Sequence, residues 1–156
     1  MTRSRFWIVT VPAILAAGLA SGWLSNSGYG NAWFASLQKP ALMPPGWVFP
    51  VAWTTLYALM GVALARVLAQ PSPRRRRAII LFGIQLLLNL SWSPIFFGLH
   101  EALSALIILI TLVIAAGATT IAFWRVQSVA GALMLPYLAW LMFAAYLNGA
   151  IVHLNG

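Results

Sequence analysis

Five long apolar runs, almost free of charge, set the terms for this chain. They cover residues 6–24, 47–69, 78–98, 102–124 and 129–153. A helix needs about 20 such residues to cross the hydrocarbon of a bilayer. The runs are continuous rather than alternating, so they read as helices and not as strands of a barrel. Only 6% of the 156 residues are charged and 62% are hydrophobic, whereas soluble domains carry about 25% charged residues. A water-facing surface cannot be built from that inventory. The expected fold class is an all-α integral membrane protein. It is a five-transmembrane-helix bundle, one domain over 1–156, with a structured loop at 25–46 between the first two spans. The first run is too long for the core of a cleavable signal and lacks a small-residue exit.

Charge orients the bundle. Nine Lys and Arg stand against a single acid, Glu101, for a net charge of +8. Arg3, Arg5, Arg66, Arg74, Arg75, Arg76, Arg77 and Arg125 fall on one side of the spans, and Lys39 alone falls on the other. The positive-inside bias places the N-terminus in the cytoplasm, and the 25–46 loop and the C-terminus outside. The arginine run then reads as a topology and headgroup anchor, and no nucleic-acid partner is expected.

The 25–46 loop is long for a compact protein, and such loops are commonly functional. Asn31 can cap a short helix over 32–38 that carries Trp33, Phe34 and Leu37. Pro40 ends it, and Pro44-Pro45 stiffens the return. This reads as a lid over the bundle. The alternative is an interfacial segment held by Trp33 among the headgroups.

Catalytic chemistry is scarce. There is no cysteine and only one acid, which excludes thiolate sites and paired carboxylates. His100, His153 and Glu101 are too few for a metal site. No glycine loop cradles a phosphate, and no base–acid pair accompanies a serine. No catalytic residue, metal or cofactor is therefore assigned. No Asp, Glu, Lys or Arg falls mid-span, which argues against an ion relay.

What remains inside the spans is aromatic and amide. Phe49, Trp53 and Tyr57 recur every fourth residue and share a helix face. Gln85 and Asn89 do the same, followed by Trp92, and Trp140, Ala144 and Asn148 repeat the spacing in the last span. Amides in lipid need partners, so they should point inward. Ala144 leaves a hollow at its level, and Pro136 should kink the last span close by. Together these describe a pocket for a flat, largely apolar ligand. The competing readings are inter-helix glue for the amides and an interfacial belt for the tryptophans, the latter favoured for Trp7, Trp23 and Trp124. Gly18-x-x-x-Gly22 and the small residues from Ala115 to Thr119 suggest close helix contacts.

The order of motifs resembles one known family. The loop has Trp33-Phe34-Ala35-Ser36-Leu37-Gln38-Lys39-Pro40, leading into Pro44-Pro45-Gly46-Trp47-Val48-Phe49-Pro50 and then Trp53-Thr54-Thr55-Leu56-Tyr57. The third span has Gln85-Leu86-Leu87-Leu88-Asn89-Leu90-Ser91-Trp92-Ser93-Pro94. The fifth has Pro136-Tyr137-Leu138-Ala139-Trp140, continuing to Ala144 and Asn148. From about residue 30 to 150 this pattern is similar to the translocator protein family, also called the tryptophan-rich sensory or peripheral benzodiazepine receptor family. The resemblance implies a five-helix bundle, usually a homodimer, with a cavity open toward the lid. The implied ligands are tetrapyrroles such as protoporphyrin IX and haem, and isoquinoline or benzodiazepine compounds, with a regulatory, stress-sensing or transport role. It further implies a bacterial-type member in the cytoplasmic membrane.

By position, Trp53, Asn89, Trp140 and Ala144 match the family's cavity residues. Trp53 and Trp140 match the pair implicated in a porphyrin photoreaction, the redox alternative to simple binding; a structural membrane partner that tunes another protein is the third reading. The expected ligand-binding set is Trp33, Phe49, Trp53, Tyr57, Gln85, Asn89, Trp92, Trp140, Ala144 and Asn148. Departures are visible. No Arg or Lys follows Tyr146, so the animal family's sterol motif is incomplete. Ser104 and Leu42 stand where tryptophans are expected.

Overall fold

The computed structural model describes residues 5–156; Arg3, one of the orienting cations, lies outside them. Six α-helices follow in order: α1 (Trp7–Leu24), α2 (Ala32–Ser36), α3 (Val48–Leu68), α4 (Arg75–Ser93), α5 (Ala102–Val126) and α6 (Ser128–Asn155), with a π-helical turn, Pro94–Gly98, continuing α4. All but α2 are long and apolar enough to cross a membrane. The protein is an all-α integral membrane protein with five spans, and α6 remains helical through Pro136.

Small residues set the helix packing. A Cβ on Gly61 of α3 would come within 2.6 Å of the Val11 backbone of α1, so only glycine allows this approach. The Thr10 hydroxyl donates to the Gly61 carbonyl at 2.7 Å across the same contact. One end of Gly18 is equally tight, for a Cβ there would overlap the Tyr57 ring. Ser21 ties α1 to α4 by donating to the Leu90 carbonyl at 2.7 Å. Extended Gln127 separates α5 from α6, and Gly131 then fits against Trp124. Tyr137, Met60, Phe123, Leu112, Met134 and Leu141 fill the fully buried centre.

The topology sorts charge to one end. Arg5 precedes α1, Arg66 lies in the last turn of α3, Arg74 to Arg77 surround the start of α4, and Arg125 lies in the last turn of α5. Arg75 donates to the Leu68 and Gln70 carbonyls at 3.1 and 3.4 Å, satisfying the open end of α3. Exposed Trp7 and Trp124 also sit at this end, and exposed Trp23 sits at the other.

The opposite end carries the lid. The Asn31 side chain accepts from the Phe34 N–H at 3.2 Å, the cap its sequence position suggested. Helix α2 stops at Ser36 rather than residue 38, because Leu37 turns extended (φ −73°, ψ 149°). Asn31 also donates to the Phe97 carbonyl at 3.0 Å, fixing the lid to the π-helical turn. Phe34 is buried edge-on against Phe96 and Phe97. Asn155 of α6 reads the Gln38 backbone twice, accepting from its N–H at 2.9 Å and donating to its carbonyl at 2.8 Å.

Candidate ligand cavity

Beneath the lid the helices enclose a cavity of about 540 Å³. Its walls come from α1, α3, α4, α5, α6 and the lid. The spacing of Phe49, Trp53 and Tyr57 places all three on it, as does that of Trp140, Ala144 and Asn148. Asn89 and Trp92 complete the expected residues in the wall. Two expected residues stand elsewhere. Trp33 is not among the lining residues: it lies flat on His100 at 4.5 Å, with an edge contact to Phe96. Gln85 is withdrawn one turn below the cavity floor and fully buried.

The aromatic wall has a defined order. Trp53 stacks on Tyr57 at 5.3 Å and 27° and meets Trp140 edge-on at 6.4 Å and 85°. Phe49 meets Trp140 from the lid side at 6.0 Å. Trp92 stacks on Phe96 at 5.0 Å. These contacts hold the rings at fixed angles, which suits a flat partner.

Below the wall runs a directional chain of buried hydrogen bonds. The Tyr57 hydroxyl donates to Asn89 Oδ1 at 2.8 Å, and Asn89 Nδ2 donates to the Tyr137 hydroxyl at 2.9 Å. The Tyr137 hydroxyl donates to Gln85 Oε1 at 2.6 Å, and Gln85 Nε2 meets the Met60 sulfur at 3.8 Å. A second pair closes the lid side: Trp92 Nε1 donates to Asn148 Oδ1, and Asn148 Nδ2 to the Ala102 carbonyl, both at 3.0 Å. The amides are thus engaged in joining helices. The Trp140 indole nitrogen is buried and has no hydrogen-bond partner among the described residues.

No Asp, Glu, Lys, Arg or His is among the lining residues. The nearest cation by position is Lys39, whose ammonium lies 4.7 Å from the Phe34 ring centroid and 5.3 Å from that of Tyr29, both lining residues. It also donates to the Leu37 carbonyl at 3.0 Å. Desolvation lowers its pKa from the usual lysine value.

The sequence reading passed over Tyr29, Met43, Phe96, Phe97, Leu109 and Leu112, all of which line the cavity. Phe96 and Phe97 follow Pro94, where helical spacing no longer applies because the turn is π-helical. Leu109 and Leu112 carry no signal that separates them from the lipid-facing leucines around them.

Fold and site together define a five-span integral membrane protein with a lidded, charge-free aromatic cavity at one end of its bundle. The TspO/MBR family model matches residues 9–154. The chain is 40% identical over 138 residues to Protein CrtK of Rhodobacter capsulatus, covering 87% of this chain and 84% of that one. It is 43% identical over 125 residues to the tryptophan-rich protein TspO of Chlorobaculum tepidum, covering 79% of each. It is 42% identical over 147 residues to the human translocator protein, covering 91% of this chain and 87% of that protein. This chain belongs to the TspO/MBR family.

Proposed function

We propose that this protein is a membrane receptor of sensory or transport type that holds tetrapyrroles, such as protoporphyrin IX or haem, in the cavity under its lid. Isoquinoline- and benzodiazepine-type compounds fit the same description. The observation that carries the reading is the cavity itself. Its volume of about 540 Å³ lies within the range of small-molecule sites, about 300–1,000 Å³. Its walls offer Trp53, Trp140, Phe49 and Trp92 as aromatic faces and no charge. An apolar macrocycle loses little by leaving lipid for such a wall, while its carboxylates stay at the lid end, where Lys39 is the cation. The buried, unpartnered Trp140 N–H suits a ligand acceptor. Relatives carry the names tryptophan-rich sensory protein and translocator protein, consistent with this role.

The arginine end faces the cytoplasm in this reading, with the lid and C-terminus outside the bacterial cytoplasmic membrane. The protein acts as a homodimer. Gly83 of α4 and Gly117 of α5 face open space, and such positions allow a second copy to approach closely.

A second reading draws on the Trp53–Trp140 contact: light-driven porphyrin degradation in which an indole gives one electron to the photo-excited porphyrin, leaving an indole radical cation, with dissolved oxygen as the oxidant that consumes the macrocycle. The test for both is a tryptophan-fluorescence titration of the purified protein with protoporphyrin IX, in darkness and then under illumination. Saturable quenching with stable porphyrin bands supports a receptor. Loss of the bands under light supports degradation. Absence of saturable quenching refutes both.

A further inference from the structure

A second cavity, of about 370 Å³, opens on the outside of the bundle between α5 and α6 at the arginine end. Ile121, Trp124 and Arg125 recur at i, i+3 and i+4, so they share one face of α5. Thr120 and Leu135 of α6 complete the lining. Ile121, Trp124 and Leu135 are each about half exposed. One wall is fixed in place: a Cβ on Gly131 would come within 2.7 Å of the Trp124 ring, so the indole lies tight against the start of α6. Apolar side chains thus line the part of the groove within the span. Arg125 and Trp124 stand at its mouth, in the last turn of α5.

The chain itself supplies no anion for this mouth. Its one side-chain acid, Glu101, stands at the other end of the 25-residue α5, about 37 Å away along the helix. The C-terminal carboxylate follows α6 and lies at that far end too. A second copy inserted in the same orientation would bring its own arginines to this level and no acid. The Thr120 hydroxyl is already spent on the Ala116 carbonyl, at 2.8 Å. The side chains at the mouth are therefore donors, the Arg125 guanidinium and the Trp124 indole N–H. Charge complementarity calls for an anion from outside the protein, and the apolar floor calls for one that carries a hydrocarbon tail.

We infer that the α5–α6 groove is a binding site for one anionic phospholipid of the leaflet on the arginine side. The phosphate pairs with the Arg125 guanidinium, and an acyl chain lies along Ile121, Leu135 and the Trp124 ring. A guanidinium and a phosphate form a bidentate, charge-assisted pair. An indole suits the border between hydrocarbon and headgroups. The site shares no lining residue with the cavity under the lid, so it stands whatever that cavity binds.

The test is native mass spectrometry of the purified protein, equilibrated in detergent with equimolar dioleoyl-phosphatidylglycerol and dioleoyl-phosphatidylcholine. The natural chain is expected to retain one phosphatidylglycerol in preference to phosphatidylcholine. Arg125→Gln should lower that preference about ten-fold or more, the loss of a charge-assisted hydrogen bond. Arg66→Gln, at the same end but outside the groove, should leave it within about two-fold. Leu135→Trp fills the groove and should remove the retained lipid with Arg125 still in place. A bilayer measurement needs no change at Arg125. In nanodiscs, phosphatidylglycerol brominated in its acyl chains should quench the Trp124 share of the fluorescence more than brominated phosphatidylcholine does, that share being the difference between the natural chain and Trp124→Phe. Equal losses in Arg125→Gln and Arg66→Gln would mean diffuse attraction to the positive end and would overturn the site. So would a preference that survives Arg125→Gln or Leu135→Trp, or equal quenching by the two brominated lipids. Displacement of the lipid by sn-glycerol 3-phosphate would make this a site for free anions and overturn it as well.

Discussion

Replacing Asn89 with leucine is expected to harm the bundle more than the ligand. Asn89 is buried, accepts from Tyr57 and donates to Tyr137, so its amide is spent within the protein. Side-chain hydrogen bonds between membrane helices are worth about 0.6 kcal/mol on average and up to about 1.7. Losing two of them costs about 1–3 kcal/mol. Tyr57→Phe in the natural chain loses one bond, about 0.6–1.7 kcal/mol. In the Asn89→Leu background the Tyr57 hydroxyl has already lost its acceptor, and its removal costs close to nothing. The coupling in the double-mutant cycle is therefore about 0.6–1.7 kcal/mol. The assay is unfolding by SDS in mixed micelles, followed by the fluorescence of the eight tryptophans. Porphyrin affinity in the same variants should fall less than about ten-fold. A coupling below the scatter of independent sites, about 0.3 kcal/mol, would refute the argument. So would an affinity loss of about a hundred-fold with stability unchanged, which would assign the amide to the ligand.

Ala144→Phe places a ring into the cavity beside Trp140; porphyrin affinity should drop about ten-fold or more, with the bundle still folded by circular dichroism. The double variant Trp53→Phe, Trp140→Phe keeps aromatic faces, each contact being worth about 0.5–1.5 kcal/mol. Dark binding should weaken modestly, while any photodegradation falls much further because phenylalanine is harder to oxidise; equal bleaching in both proteins removes the indoles from the reaction. A C-terminal reporter active only in the cytoplasm should stay silent, given the arginine end at the start of α1 and the opposite end at the close of α6. Activity there reverses the orientation.

Periodicity, charge and turn chemistry were legible in the chain itself. Five runs of sufficient length imply five spans, because a bilayer leaves the backbone no other hydrogen-bonded solution. The arginines sort to one end because alternate connections carry them. Asn31 announces a helix start because its side chain can satisfy a free N–H. Shared faces were legible too: Phe49, Trp53 and Tyr57 stay together whatever α3 packs against.

Which way each face turns was decided only by tertiary structure. A membrane helix is apolar all round, so the contrast that marks inside from outside in a soluble helix is missing. Gln85 and Asn89 share a face, yet one lines the cavity and the other lies below its floor, because Tyr137 from α6 reaches between them. Trp33 reads as a cavity aromatic but turns onto His100, since the Asn31 bond to Phe97 fixes the rotation of α2. Gly18 and Gly22 read as one close-contact motif, but only Gly18 has a ring against it. Contact requires a second helix at the right distance, and the spacing of residues along one helix carries no record of where its neighbour diverges.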